Sequence, residues 1–129
     1  IETVEDAVKL LNYAPGLYLL LDTGHLLAGR SNPLEAIEKL GDRIAHVHLK
    51  DFYAEDPETW DNHKSKWWEE GRFEELGKGN MGLDVKAVLQ GLERIGYEGW
   101  VTVEQDRPTH HPPAETARIN REYLRSLGY

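Results

Sequence analysis

The sequence predicts an α/β fold in which parallel strands alternate with helices. Three short apolar runs each end in carboxylate or imidazole side chains, at residues 20–25, 46–51 and 100–106. Segments with apolar residues at helical spacing separate these runs. This alternation is typical of βα units, in which each strand presents a polar side chain at its C-terminal end.

Composition limits the classes of function. Hydrophobic residues make up 40% and charged residues 29% of the chain, as in ordinary globular domains. No apolar run approaches the roughly 20 residues that span a bilayer, and the acidic N-terminus is unlike a signal peptide. We therefore expect no membrane partner and a cytoplasmic location. The net charge of −8 argues against a nucleic-acid partner, and without cysteine a metal would need oxygen and nitrogen ligands.

The first part of the chain predicts two helices and two strands. Val4, Ala7 and Leu11 recur at helical spacing before Pro15. A continuous apolar run then ends at Asp22, as expected for a strand covered on both faces. The predicted segments are a helix over 2–13, a strand over 17–22, a turn at 23–24, a helix over 33–40 after the N-cap Asn32, and a strand over 44–50.

The second part predicts a long loop and one further βα unit. Asp84 is the predicted N-cap of a helix that Gly96 closes, and Pro112 and Pro113 precede the last helix. The predicted segments are a long loop over 51–83, a helix over 85–95, a strand over 99–104 and a helix over 113–127.

The long loop holds three of the four tryptophans, Trp60, Trp67 and Trp68. Loops of this length inside a domain are usually functional or disordered, and the aromatic residues favour an ordered segment. Trp67 and Trp68 are therefore candidate substrate contacts in a lid over a sugar. The alternative is a partner interface, where tryptophan is also enriched.

A glycine-rich motif at residues 77–82 matches the dinucleotide fingerprint G-x-G-x-x-G. That fingerprint needs a preceding strand, and residues 72–76 are charged and fall within the predicted loop. We therefore interpret the motif as a tight turn that leads into the helix capped by Asp84.

Alternation along the strands predicts which side chains share a face. Ile44, His46, His48 and Lys50 share one face of the second strand, and the more apolar face should meet the helices. By the same rule Asp22 ends the inner face of the first strand, and residue 104, a glutamate, ends that of the third. In a βα barrel the C-terminal strand ends carry the active site.

These strand ends predict a divalent-metal site made by Asp22, His48 and Glu104. Taken singly, Asp22 could cap a turn and a strand histidine could be a core residue, but a buried Glu104 would be costly without a partner. Mixed oxygen and nitrogen donors favour Mn²⁺ or Co²⁺, with Mg²⁺ or Zn²⁺ as alternatives. Such an ion polarises a substrate carbonyl and stabilises an enediolate, and a carboxylate at the site is the natural proton carrier. His25, His46 and Lys50 are candidate substrate contacts, and the residues alone do not decide between His46 and His48 as the ligand.

At this point the sequence resembles the xylose-isomerase-like superfamily of sugar isomerases and epimerases, and within it the inosose dehydratase branch. The motifs are Asp-Thr-Gly-His at 22–25, His-Leu-Lys-Asp at 48–51, the glycine turn at 77–84, and Gly-Tyr-Glu-Gly-Trp at 96–100 leading to Val103-Glu104. The resemblance implies a TIM (β/α)8 barrel, of which this chain supplies the C-terminal three βα units. It also implies a metal held by two glutamates, an aspartate and a histidine. Asp22, His48 and Glu104 match three of those ligands, and His25 matches a substrate-side histidine. In epimerase members the two glutamates also carry the proton, so the resemblance makes Glu104 one half of the catalytic acid–base pair.

The resemblance has one large departure. The other glutamate of the family lies on a strand upstream of the helix at 2–13, and no such strand is in this sequence. We therefore expect an incomplete barrel, either a truncation or a homo-oligomer that covers the open face. Activity of this chain alone is not expected.

The predicted function is a metal-dependent sugar or polyol isomerase, epimerase or dehydratase, since all three reactions begin by removing a proton next to a carbonyl. One alternative is an apurinic-site endonuclease of the same superfamily, which would need more metal ligands and a basic DNA-binding face. The other alternative is a non-catalytic barrel fragment that serves as an oligomeric interaction module.

Overall fold

A computed structural model describes residues 1–107 and 110–129. Helices and strands alternate along most of the chain, as the βα pattern predicts. The elements are α1 (Val4–Tyr13), β1 (Leu19–Asp22), α2 (Thr23–Ala28), α3 (Pro33–Leu40), a 3₁₀ turn (Gly41–Arg43), β2 (Ile44–Leu49), β3 (Asp51–Ala54), β4 (Gly71–Glu74), α4 (Val85–Arg94), β5 (Val101–Val103) and α5 (Pro113–Ser126).

A parallel sheet of three strands, in the order β1-β2-β5, positions the candidate site. In its register Asp22 lies beside His48, and His48 lies beside Thr102 on the far strand. The helix-facing side of the sheet contributes to the main core, with Val47 and Leu49 fully buried at its centre and Val101 and Val103 partly buried on β5. Within the described residues, helices cover this side of the sheet and leave the other side open, so the sheet is an unclosed part of a barrel.

A bulge in β2 changes the predicted alternation. Leu19 pairs with Ile44, but the next residue, Leu20, pairs with His46, so Ala45 is skipped. The extra residue turns Ile44 to the helix side, where it is buried in the core, whereas strict alternation placed it with the histidines. His46 and His48 remain on the inner side of the sheet.

The predicted long loop at 51–83 is partly wrong, because it contains the antiparallel hairpin β3–β4. Phe52, Phe73 and Trp60 pack beneath this hairpin as a second small core. The Trp60 indole N–H donates a hydrogen bond to Ala28 O at 2.9 Å, which fastens the hairpin to the end of α2. The Trp-rich segment is therefore a packed subdomain beside the main sheet.

The predicted turn at 23–24 is a short helix instead. Asp22 caps α2 by accepting a hydrogen bond from the His25 backbone N–H at 3.0 Å. The longest helix described, α5, has 14 residues, and no helix among residues 1–107 and 110–129 has the length and apolar character needed to cross a membrane.

Candidate metal centre

Asp22, His48 and Glu104 come together at the C-terminal ends of three adjacent strands. One donor atom from each lies within 4.8 Å of the other two. His48 Nδ1 is 2.9 Å from Glu104 Oε2 and 3.6 Å from Asp22 Oδ2. Parallel strands bring these side chains to one edge because their C-terminal ends coincide. Within the described residues this is the one group of three or more His, Asp or Glu side chains close enough to share an ion.

A buried lysine lies beneath the same carboxylates. Lys50 is 1% exposed, and its ammonium is 2.5 Å from Glu104 Oε2, 2.8 Å from Asp106 Oδ2 and 3.4 Å from Asp22 Oδ2. The prediction that Lys50 contacts substrate does not fit this burial. Its ammonium is instead enclosed by carboxylates and by the ring of Phe73, whose centroid is 4.3 Å away.

Charge pairing sets the protonation of this cluster. Burial lowers the pKa of Lys50, but hydrogen bonds to Asp106 and Glu104 and the charge of Asp22 outweigh it, so the pKa lies above its ordinary value. Burial raises the pKa of Glu104, yet Lys50 and His48 bring it below its ordinary value. Lys50 is therefore a cation and Glu104 a carboxylate at neutral pH.

Thr23 and Gly24 explain why the motif after β1 has small residues. The Thr23 hydroxyl donates to Lys50 O at 2.7 Å and accepts from the Lys50 backbone N–H at 2.9 Å, which ties α2 to the end of β2. A side chain at position 24 would place its Cβ 2.8 Å from Lys50 Cγ. The two residues therefore fix the lysine stem under the cluster.

The two histidines predicted to contact substrate, His46 and His25, lie beside the cluster and not within it. His46 is on the inner side of β2, two residues before His48, and the two ring centroids are 5.2 Å apart. Its Nε2 is 3.2 Å from Thr102 Oγ1, so this nitrogen is engaged away from the cluster. His25 is exposed at the start of α2 and packs edge-on against Phe73, with 5.0 Å between ring centroids. The structure therefore brings His48, and not His46, to the carboxylates.

The two tryptophans predicted to contact substrate have different surroundings. Trp67 packs against Phe52 and Trp60 with 5.3 Å between ring centroids in each pair, and its indole N–H donates to Asn62 O. It is mainly part of the second core. Trp68 is 41% exposed and faces Arg107, so this tryptophan is the one available to a ligand.

The glycine motif at 77–82 forms an anion nest that the protein fills itself. The backbone N–H groups of Gly77 and Gly79 donate to Asp51 Oδ2 at 2.9 and 3.0 Å. A strand, β4, does precede the motif, which corrects the prediction. It belongs to an antiparallel hairpin and not to a βαβ unit, and the Asp51 carboxylate takes the N–H groups that a phosphate would need.

Sequence reasoning missed two sets of polar residues. Asp106 follows the strand end by a few residues, and its contact with Lys50 had no signal in the spacing. The buried Glu75 pairs with His111, at 2.9 Å, and accepts a hydrogen bond from Thr116 in α5 at 3.1 Å. This second set joins the hairpin to the last helix.

The donor set fits a divalent cation. Two carboxylates and an imidazole nitrogen are ligands that Mn²⁺, Co²⁺ and Zn²⁺ accept. Two of the oxygens, from Asp22 and Glu104, already face the ammonium of Lys50, which indicates a site built around positive charge.

Comparison with known proteins identifies the family. A family model described as "Xylose isomerase-like TIM barrel" matches residues 1–127. Inosose dehydratases from Clostridium beijerinckii and Geobacillus thermodenitrificans are each 34% identical over 131 residues. Each alignment covers 97% of this chain and 43% of the relative, so the chain spans less than half the length of these relatives.

Solved structures share the fold. A xylose isomerase domain protein from Planctomyces limnophilus superimposes with a TM-score of 0.67 at 24% identity, covering 97% of this chain and 42% of that one. The 3-keto-D-glucoside 4-epimerase from E. coli gives a TM-score of 0.61 at 23% identity, covering 98% and 40%. These structures show the fold, and the family model, which covers nearly all of the sequence, shows that the chain belongs to the xylose isomerase-like TIM barrel family.

Proposed function

We propose that this chain carries part of the active site of a metal-dependent enzyme that isomerises, epimerises or dehydrates a sugar or polyol. The observation that carries the proposal is the convergence of Asp22, His48 and Glu104 within 4.8 Å at neighbouring strand ends. The similarity to inosose dehydratases supports a cyclic keto-polyol as one substrate of this type.

Asp22, His48 and Glu104 would hold the ion, with Mn²⁺ or Co²⁺ favoured by the mixed donors. A bound divalent ion acts as a Lewis acid on substrate oxygen and so makes a neighbouring C–H more acidic.

Glu104 is the proposed proton carrier. Its Oε2 faces His48 and Lys50, whereas its Oε1 makes no hydrogen bond or ion pair with the residues that the structure describes. The lowered pKa of Glu104 keeps this carboxylate ionised, so Oε1 can accept a proton from carbon. His25, which is exposed beside Phe73, is positioned to contact a substrate hydroxyl.

The endonuclease alternative has less support. A multi-metal centre needs more ligands than the one group of three found among the described residues. A DNA-binding face needs clustered Lys and Arg, and the net charge is −8.

Metal binding by the purified chain is the first test. We expect Mn²⁺ to bind, as seen by the loss of its free-ion electron paramagnetic resonance signal. Asp22→Asn and Glu104→Gln should each weaken binding by at least about tenfold, because each removes a charged ligand. Glu98→Gln is the matched control, since Glu98 is an exposed glutamate outside the cluster. Equal Mn²⁺ binding by all variants would disprove the metal centre.

Proton exchange is the second test, and it covers all three reaction types. In D₂O with Mn²⁺, a homo-oligomer that covers the open face should exchange the C–H next to the carbonyl of an inosose or of D-tagatose, as measured by proton NMR. Glu104→Gln should slow this exchange by about 100-fold or more, in the range of general acid–base catalysis. Mn²⁺ binding without exchange of either compound would leave a metal centre that lacks the proposed chemistry.

A further inference from the structure

Trp68 has a strained backbone next to the candidate centre. Its φ is 70°, in the left-handed region that a bulky side chain rarely adopts. The Trp68 N–H donates a hydrogen bond to Gly71 O at 2.7 Å, so the turn that leads into β4 enforces this conformation. Strain of this kind is often kept where it positions a side chain for binding.

The Trp68 ring supports an arginine. The guanidinium carbon of Arg107 lies 4.4 Å above the Trp68 ring centroid, at cation–π distance. Within residues 1–107 and 110–129, this guanidinium makes no ion pair or hydrogen bond. Arg72, by contrast, is paired with two carboxylates of the hairpin, Glu55 and Glu74. The donors of Arg107 are therefore available to a ligand while its plane is held by the indole.

The backbone that carries Arg107 is also held in place. The side-chain nitrogen of Gln105, Nε2, donates hydrogen bonds to Phe73 O at 3.2 Å and to Arg107 O at 3.1 Å. These bonds tie the segment that carries Arg107 to β4. Asp106, between them, is bound by the Lys50 ammonium at 2.8 Å. Arg107 is thus preorganised by three neighbours before any ligand binds.

This arginine lies close to the metal cluster. It follows Glu104 by three residues, a separation that extended chain spans in at most about 11 Å. Side-chain packing agrees with this, because the Phe73 ring centroid is 4.3 Å from the Lys50 ammonium and 6.1 Å from the Trp68 ring centroid. Arg107 is therefore linked to Asp22, His48 and Glu104 by a short chain segment and by the ring contacts of Trp68 and Phe73.

We infer that Arg107, held by Trp68, binds an oxyanion of the substrate, either a carboxylate or a phosphate. The inference rests on the proposed function, since it assigns part of the substrate of that same site. A planar guanidinium with free donors matches an oxyanion through two parallel hydrogen bonds. Charge agrees with this: the carboxylates of Asp22, Glu104 and Asp106 and the cations Lys50 and Arg107 sum to −1, so a bound divalent ion would leave one net positive charge.

Calorimetric titration with three probes tests the inference. D-glucitol is neutral, D-gluconate adds a carboxylate, and D-glucitol 6-phosphate adds a phosphate. Using protein saturated with Mn²⁺, we expect one of the anionic probes to bind at least about tenfold more tightly than glucitol. We call this ratio of affinities the anionic margin. Arg107→Gln should remove that margin without changing glucitol affinity. Arg94→Gln, an equal change of charge on an exposed arginine of α4, should leave the margin intact.

A second variant separates binding from folding. Trp68→Gly removes the ring but relieves the left-handed backbone conformation, so we expect a native circular dichroism spectrum and unchanged Mn²⁺ binding together with loss of most of the anionic margin. Which anionic probe gains affinity identifies the group as carboxylate or phosphate.

Equal affinity for the three probes, no binding of any probe, or a margin that survives Arg107→Gln would each overturn the inference. If Mn²⁺ does not bind and the metal-free protein still shows an Arg107-dependent margin, the metal proposal fails and the oxyanion site stands. If Mn²⁺ binds and no margin exists, the oxyanion site alone fails.

Discussion

At the scale of single residues, Asp22 is the N-cap of α2 and also a proposed metal ligand. Its Oδ1 accepts the hydrogen bond that caps α2, while its Oδ2 faces His48 and Lys50. The cap fixes the carboxylate plane, so the second oxygen points into the cluster without a loss of side-chain freedom on binding. Short caps of this kind can therefore position ligands for a metal.

Replacing Lys50 should lower the free energy of unfolding when no metal is bound. Lys50→Met leaves three facing carboxylates without their shared cation. We expect a loss of about 2 kcal/mol in the free energy of unfolding, below the roughly 3–5 kcal/mol of fully buried pairs, because Glu104 and Asp106 remain partly hydrated. Urea denaturation measures this loss, and added Mn²⁺ should restore part of it, since the ion replaces the missing positive charge.

Lys39→Met is the matched control for that variant. Lys39 forms an exposed pair with Glu35 at 2.5 Å on α3, and such pairs contribute little, so the loss of stability should be much smaller than that of Lys50→Met. If Lys50→Met were as stable as the wild type with and without Mn²⁺, the lysine would not be the counter-ion of the cluster.

The proposed ligands could be predicted because strand ends are visible in the sequence. The burial of each side chain could not be predicted in this way. Alternation puts Lys50 on the same side as His48, and nothing in the pattern shows that its head lies under the carboxylates. Asp106 and Arg107 were missed for a related reason. They follow the last strand, and their positions depend on Gln105 and Lys50, which are distant in sequence from each other.

At the scale of elements, helices were predicted more closely than the connections. Apolar spacing and the N-caps Asn32 and Asp84 mark α3 and α4, and both side chains accept the expected hydrogen bonds. The β3–β4 hairpin has no such signal, because its strands are short and charged and are separated by 16 residues. The bulge at Ala45 is likewise invisible, since it depends on the neighbouring strand.

The glycine turn after β4 gives a test at this scale. Gly79→Ala should place its Cβ against Asp51 and the carbonyl oxygen of Phe52, neither of which can move freely. We expect a cost near the upper end of the roughly 1–3 kcal/mol typical of overpacking. At Gly82 φ is 83°, and an added Cβ would have no atom within 4 Å. Gly82→Ala should therefore cost only about 1 kcal/mol, from backbone strain alone. Thermal unfolding of the two variants gives the comparison, and equal melting temperatures would contradict the filled nest.

At the scale of the whole molecule, the sheet has one covered side and one open side. Trp100, Tyr18 and Leu20 are 79%, 65% and 48% exposed on the strands or at their ends. Both outer strands, β1 and β5, pair on one edge only within the described residues. Unpaired edges and contiguous apolar side chains favour association, and a second copy of the chain is the partner at hand in a purified sample.

Self-association is therefore the expected behaviour of the isolated chain. We predict that light scattering gives a mass that rises with concentration above that of a monomer. Trp100→Ser should weaken this association by about tenfold or more, because large exposed aromatic residues often dominate interfaces. Tyr13→Ser, at the end of α1, removes an aromatic side chain that is 90% exposed and away from the sheet, and should leave the mass unchanged. A constant monomeric mass for the wild type would show that the open side tolerates water, and equal effects of the two variants would place the contact elsewhere.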